Sequence, residues 1–390
     1  MAKNKILMIA YTYYSTDARV IKEAETALVK GYSVDFIALR KPQEKKIEVK
    51  NNLTIYKLKQ SRYRGSQNLM YLLAYVEFFF RSMIKTTILF IKNRYKIIHV
   101  NNIPDFIVFS AIIPKLFGAK VILDIHDPMP NTFLTKFQGD PSSIMYKMLL
   151  LQEILSTKFA DHVITVHEPL KYDVLIKDGI PEEKISVLPN FADDQLFKLV
   201  ENYQIDFPLR MIFHGTIAER FGLQFILQAI ANFKYKEKIN LVIIGEGDYS
   251  EKLKGHIEDL NLRKIVNFEH TTYPVHQLPK ILCEFHLGLI SYILSPATEY
   301  MLPVKMLELL AMGIPVITVN NKAIDYYFNS KHCLFYDSND LSSLIELLED
   351  LIKRPDKILT TRNAWLEIRD NYLWKKTSER YNNILSNFNY

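Results

Sequence analysis

Lys305 and Glu308 stand three residues apart, just after Pro303-Val304, in a stretch that closes with Ala311-Met312-Gly313. Pro303 suits the start of a helix and Gly313 its C-terminal cap. The spacing puts the cation and the carboxylate on one helix face, while Leu307, Leu310 and Ala311 form a core-facing stripe. A helix N-terminus offers free N–H groups and a partial positive charge, so a lysine beside it favours a diphosphate. The carboxylate one turn further on is placed to accept hydrogen bonds from ribose hydroxyls. A surface ion pair is the plainer use of the same spacing.

Two further stretches carry polar groups directly after apolar runs. Phe213-His214 leads into Gly215-Thr216 and Arg220, where glycine permits close backbone approach, threonine offers a hydroxyl and arginine grips phosphate oxygens. Ile244 leads into Gly245-Glu246-Gly247 in the same way. With only 12 glycines against 23 tyrosines and 23 phenylalanines, each glycine at such a junction carries weight. A lone Gly-x-Gly remains weak by itself.

The elements that must position these groups read as two series of short buried strands separated by helical stretches. The first comprises Lys5–Ala10, Ser33–Ala38, Ile97–Asn101, Lys120–Asp124 and His162–Val166. The second comprises Arg210–His214, Asn240–Gly245, Ile265–Phe268, His286–Ser291 and Pro315–Val319. Such alternation predicts parallel sheets with helices on both faces, whose ligands sit beyond the carboxyl ends of the strands. At 390 residues the chain exceeds what one core normally holds, which predicts two domains. Turn formers after Leu188 place the hinge at about residues 190–208. The domains are therefore expected at 1–197 and 198–370, with 371–390 a terminal helix crossing back to the first.

Composition narrows the function classes. Hydrophobic residues at 48% and charged residues at 24% exclude a disordered chain. Cys283 and Cys333 lack metal-ligand spacing and are too few for a disulfide framework, which fits a reducing compartment with both thiols buried. The apolar run after Lys5 is too short for a signal-peptide core. The net charge of +6 attracts anions without selecting among them, and scattered basic residues argue against nucleic acid.

Taken together, these residues resemble the retaining GT-B glycosyltransferases of family 4 type, the glycosyl transferases group 1. The resemblance covers most of the chain and rests on Asp17-Ala18-Arg19-Val20 with Glu23 and Ala24, His126-Asp127, Leu188-Pro189-Asn190, Gly215-Thr216 with Arg220, Gly245-Glu246-Gly247, and Pro303 to Glu308 followed by Ala311 to Val316. It implies an α/β fold of two doubly wound Rossmann-like domains facing each other across a cleft. It also implies a UDP- or GDP-linked sugar as substrate, a glycan or lipid-linked acceptor, and no cofactor or metal. Donor contacts are then expected from Gly215, Thr216, Arg220, Gly245, Glu246, Gly247, Glu299, Pro303, Val304, Lys305 and Glu308. Acceptor contacts are expected from Ser15, Thr16, Asp17, Arg19 and Asp127, and catalytic roles from His126, Arg220 and Lys305. Two features depart from the family pattern. Glu299 and Glu308 have eight residues between them rather than seven, and the first loop, Tyr11 to Thr16, lacks the family's glycine pair. A nucleotide-sugar epimerase of the same fold and a non-enzymatic two-domain ligand-binding protein are the competing readings.

Residues 62–96 stand apart. Leu69 to Ile91 is nearly all apolar apart from Glu77, Arg81 and Lys85 at four-residue intervals, with basic residues before and after it. That is the layout of an amphipathic helix on an anionic membrane, with Phe78, Phe79 and Phe80 as lipid contacts. A helix covering the first sheet is the other reading. Three central charges argue against a spanning helix. The expectation is a cytoplasmic protein, peripheral at the inner face of the cell membrane.

Overall fold

A computed structural model describes residues 5–63, 68–136, 139–295 and 298–388. They form two compact units, residues 1–190 with 377–390 and residues 191–376. Segment 191–197, expected with the first domain, belongs to the second, and the chain returns after Lys376 rather than residue 370.

The first unit holds an eight-stranded sheet. Its strands are β1 (Lys5–Ala10), β2 (Ser33–Leu39), β3 (Ile47–Lys50), β4 (Leu53–Leu58), β5 (Ile97–Asn101), β6 (Lys120–Ile125), β7 (His162–Thr165) and β8 (Ile185–Val187). Their spatial order is β3-β4-β2-β1-β5-β6-β7-β8, parallel throughout except for the β3 edge. Alternation along β1 feeds two cores. Leu7 and Ile9 point to a layer containing Phe78, Phe90 and Ile107, while Ile6 and Met8 meet Val20, Ala24 and Ala27 on the other side. The helices are α1 (Ala18–Val29), α2 (Asn68–Asn93), α3 (Ile112–Leu116), α4 (Met129–Lys136) and α5 (Ile144–Phe159). Asp17 caps α1, accepting a hydrogen bond from the Val20 N–H.

The second unit holds a six-stranded, wholly parallel sheet made of β9 (Leu209–His214), β10 (Ile239–Ile244), β11 (Val266–Glu269), β12 (Leu287–Ile290), β13 (Val316–Val319) and β14 (Leu334–Tyr336). Their order is β11-β10-β9-β12-β13-β14. The turn of order beside β9 is where an open α/β sheet opens a ligand crevice. The helix Val304–Ala311 starts after Pro303, which is its N-cap rather than its first residue, and ends at Gly313 with φ +70°.

All ten expected strands are present, with ends shifted by a residue or two. The additions are β3, β4, β8 and β14. β3 is an exposed edge strand of four residues and β14 has only three residues, so neither carries a long apolar run. In α2, Phe78 is fully buried and belongs to the core, Phe79 is half-buried and Phe80 is exposed. Glu77 and Arg81 pair at 2.8 Å, but Lys85 leaves the expected stripe and lies over the Tyr56 ring at 4.2 Å. Cys333 is buried, whereas Cys283 is exposed, contrary to the expectation of two buried thiols. Arg64 lies outside the described residues.

Candidate active site

Beyond the carboxyl end of β9, the chain turns through Gly215 at φ +110°, a conformation L side chains rarely adopt. The loop packs backbone to backbone on the one after β10. A Cβ at Gly245 would meet the Gly215 carbonyl oxygen at 1.8 Å, and one at Gly247 would meet that of Ile217 at 1.9 Å. The Ile217 N–H donates to the Glu246 carbonyl at 3.0 Å. The two glycines of Gly245-Glu246-Gly247 are thus demanded by the contact between loops, while Thr216 and Glu246 stay exposed.

Lys305 reaches this junction from the start of its helix. Its Cδ lies 3.8 Å from where a Gly215 Cβ would be, and its Nζ sits over Phe213 and Phe221, 3.5 and 4.3 Å from the ring centroids. That Nζ is buried with no hydrogen-bond partner among the described residues. Burial, reinforced by the Arg220 charge, holds the amine well below its usual range. Arg220 is exposed and stacks on Phe221 at 4.8 Å. Glu308 is buried, its Oε2 3.9 Å from His214 Nε2. Burial and the Lys305 charge push His214 down to about 3.

Gly215, Arg220, Lys305 and Glu308 are therefore brought together, with Thr216 and the Gly245–Gly247 loop alongside. The plainer reading of the spacing, a surface ion pair, does not describe Lys305 and Glu308, because the lysine Nζ and the glutamate are both buried. Glu299 is directed elsewhere: it pairs with Lys322 at 3.0 Å on the surface. Sequence reasoning missed His214 and the aromatic floor of Phe213 and Phe221. A histidine closing a buried strand just before a positive-φ glycine was the available signal.

In the first unit His126 follows β6 and donates from Nε2 to Asp124 Oδ2 at 3.0 Å. Its backbone N–H donates to Asn102. Asp124 is buried, and burial alone would raise its carboxyl, but the charges of Arg19 and His126 hold it well below the usual range. Burial and the Asp124 charge push the Glu23 carboxyl up. Arg19 donates twice to Asp124 at 2.9 Å and once to the Leu188 carbonyl at 2.8 Å, and it pairs with Glu23 at 3.0 Å. The expected acceptor contact from Arg19 is corrected on that ground. Its guanidinium is 3% exposed and committed to the interior, where it fixes Asp124 beneath His126.

Ser15 and Thr16 lie exposed on a short turn, with Ser15 accepting from Lys41 and Thr16 donating to the Tyr13 carbonyl. Asp127 is exposed. One ligand atom each from Glu23, Asp124 and His126 lies within 4.8 Å of the others, a donor set of the kind that holds a divalent ion. Arg19 already supplies the compensating positive charge there.

Sequence profiles of two families match the chain. "Glycosyl transferases group 1" covers residues 202–367 and "Glycosyltransferase Family 4" covers residues 18–196. The chain belongs to the group 1 glycosyltransferases. It is 25% identical over 293 residues to the chitobiosyldiphosphodolichol beta-mannosyltransferase of Kluyveromyces lactis, covering 66% of this chain and 65% of that protein. It is 23% identical over 293 residues to the alpha-monoglucosyldiacylglycerol synthase of Streptococcus pneumoniae, covering 70% and 65%. The group 1 chain thus spans just under two-thirds of the length of these relatives. Among solved structures, sucrose-phosphate synthase from Thermosynechococcus elongatus superposes with a TM-score of 0.79 at 16% identity, covering 99% of each chain. HepE of Anabaena in complex with UDP gives 0.70 at 13%, covering 98% of this chain and all of that one. The fold is the two-domain, Rossmann-like GT-B fold.

Proposed function

We propose that this group 1 glycosyltransferase moves a sugar from a UDP- or GDP-linked donor to a glycan or lipid-linked acceptor, with retained anomeric configuration and without a metal ion or other cofactor. The observation that carries this reading is the Lys305 ammonium, buried beside Arg220 at a helix N-terminus with no hydrogen-bond partner among the described residues. An unpaired buried cation is costly and is stabilised when an anion arrives. A donor diphosphate is that anion, and Glu308 on the same helix then accepts from the ribose.

In the reaction the bond between the anomeric carbon and the diphosphate oxygen breaks, and a bond to an acceptor oxygen forms on the same face of the sugar. The acceptor proton passes to the departing phosphate. Arg220, Lys305 and the helix N-terminus stabilise the charge growing on that diphosphate through donors fixed before reaction. His126, its Nε2 engaged by Asp124, presents Nδ1 to the transferred sugar and steadies the charge on the ring. An open cavity of about 630 Å³ between Gln60, Arg62 and Tyr63 and the start of α2 supports acceptor binding on the first unit. HepE has been solved with UDP and glucose, and both curated relatives carry a lipid in their names. Those names specify a β and an α product respectively, so retention needs its own measurement.

Calorimetric titration with UDP, GDP, dTDP and ADP in the presence of a chelator tests the donor site. One nucleotide should bind, and Arg220→Ala and Glu308→Ala should each weaken it by about tenfold or more, the effect of losing charge-assisted hydrogen bonds. Binding that requires a divalent ion refutes metal independence. Binding of none of the four, or binding indifferent to both substitutions, refutes the donor site. NMR of the first-formed product reads retention from the anomeric coupling.

A further inference from the structure

The first unit leaves a broad apolar face uncovered. Of 26 exposed large hydrophobic side chains among the described residues, 15 lie on α2, α3 and α5, and Phe117 directly follows α3. Along α2, Leu73, Phe80, Ile84, Ile88 and Ile91 form one exposed stripe at helical spacing, Phe80 being 52% and Ile84 59% exposed. Leu116 and Phe117 are exposed at the end of α3. Ile144, Met148, Leu151 and Leu155 make a second stripe along α5.

These stripes cover the same side of the sheet. The short 3-10 helix Asp105–Ala111 leading into α3 packs between α2 and α5, with Phe106 against Phe79 at 5.8 Å and Phe109 against Phe159 at 5.0 Å. Phe117 meets Phe90 at 6.3 Å. Large exposed apolar patches of this kind mark interaction surfaces rather than ordinary solvent faces.

The charge around the face identifies the occupant. Residues 62–96 contain seven basic residues and one acid, Glu77, a net +6 equal to the formal charge of the whole chain. Glu77 is paired with Arg81. Along α3, α5 and the turn after α5 the charged residues are the basic Lys115, Lys147 and Lys158 and two acids, Glu153, which is buried, and Asp161, which is already held by Lys115 at 2.7 Å. Apposing two such faces in a dimer would bring like charges together. No helix among the described residues is long and apolar enough to cross a membrane.

We propose that α2, α3 and α5 together form a docking surface for an anionic lipid bilayer, with the apolar stripes entering the interface and the lysines and arginines at the headgroups. This extends the surface well beyond residues 62–96 and places Phe78, as a core residue, outside it. The proposal does not depend on the transferase reading.

Flotation of the full chain with vesicles of phosphatidylcholine alone or mixed with phosphatidylglycerol tests it. The protein should float with the mixed vesicles and about tenfold less with the neutral ones or at high salt. The triple variants Phe80→Ser/Ile84→Ser/Ile88→Ser and Met148→Ser/Leu151→Ser/Leu155→Ser should each reduce flotation by about tenfold. Should either variant fail to fold, Lys92→Glu/Lys96→Glu/Lys147→Glu, which alters only exposed cations, should give a similar loss. A wild type that stays in the aqueous phase, or substitutions without effect on flotation, overturns the proposal. So does a dimer in sedimentation that the serine variants abolish, which would make the occupant a second copy.

Discussion

His214 and Lys305 each keep an ionisable group in an apolar setting, and the two are linked. His214 is pushed from 6.5 to about 3 by burial and by the lysine charge. A base with a depressed folded-state value binds fewer protons when folded than when unfolded. Stability therefore rises with pH between about 3 and 6.5, and acidification removes it. Between pH 7 and pH 5 this one group should withdraw about 2 kcal/mol from the second unit. In His214→Gln that loss should disappear, read as a smaller difference between urea midpoints at the two pH values. Asp105 in the first unit acts in the opposite sense. Burial raises its carboxyl to about 6, so its contribution is full in acid and fades as pH rises through that value. Arg19, His126 and Asp124 show a different economy: a buried carboxylate paired with a guanidinium and hydrogen-bonded by the candidate catalytic imidazole.

At the scale of elements, the glycines after β10 explain why the two loops can meet. An alanine Cβ at position 247 would lie within 1.9 Å of the Ile217 carbonyl oxygen, and backbone cannot yield as a side-chain tip can. Gly247→Ala should cost about 1–3 kcal/mol, measured by urea unfolding, and should weaken nucleotide binding by spreading the Gly215 loop. Strand positions were legible because buried parallel strands are continuous β-branched runs, as in Lys5–Ala10 and Ile239–Ile244. β3 was not legible, because Ile47-Glu48-Val49-Lys50 is an exposed edge stabilised by its partner strand and by Lys57, which bonds Glu48 at 2.8 Å. The α2 stripe was misread for a related reason. Charges at four-residue intervals predict a polar face, but Lys85 is drawn to Tyr56 and leaves the outward face to apolar side chains.

For the molecule as a whole, the chain's last helix, Trp374–Asn387, carries residues 377–390 into the first unit. Tyr381, Ile384 and Leu385 are buried there with Val20, Ala24 and Ala27 of α1. The Tyr381 hydroxyl and His99 Nδ1 share a hydrogen bond of 2.6 Å. His99 in turn has its Nε2 3.9 Å from both Glu23 and Asp124. The C-terminal segment thus completes the buried network on which His126 rests. Tyr381→Phe leaves His99 Nδ1 without that partner and should lower stability by about 1–3 kcal/mol, seen as a shifted denaturant midpoint. Tyr372, expected on the same helix, instead precedes it and packs on Phe328 and Trp365 in the second unit.

The order of buried runs and turn formers determined the fold class, because parallel α/β sheets write their burial directly into local composition. The same local signals marked Gly215, Arg220, Lys305 and Glu308 as chemistry beyond strand ends. Direction and environment were decided only in three dimensions. Whether Lys305 points to water or over Phe213, whether Arg19 meets an acceptor or holds Asp124, and whether Glu299 joins the site or Lys322 all depend on residues distant in the chain. Local sequence sets which side chains a helix or strand presents, but the partner that meets each one is supplied by packing.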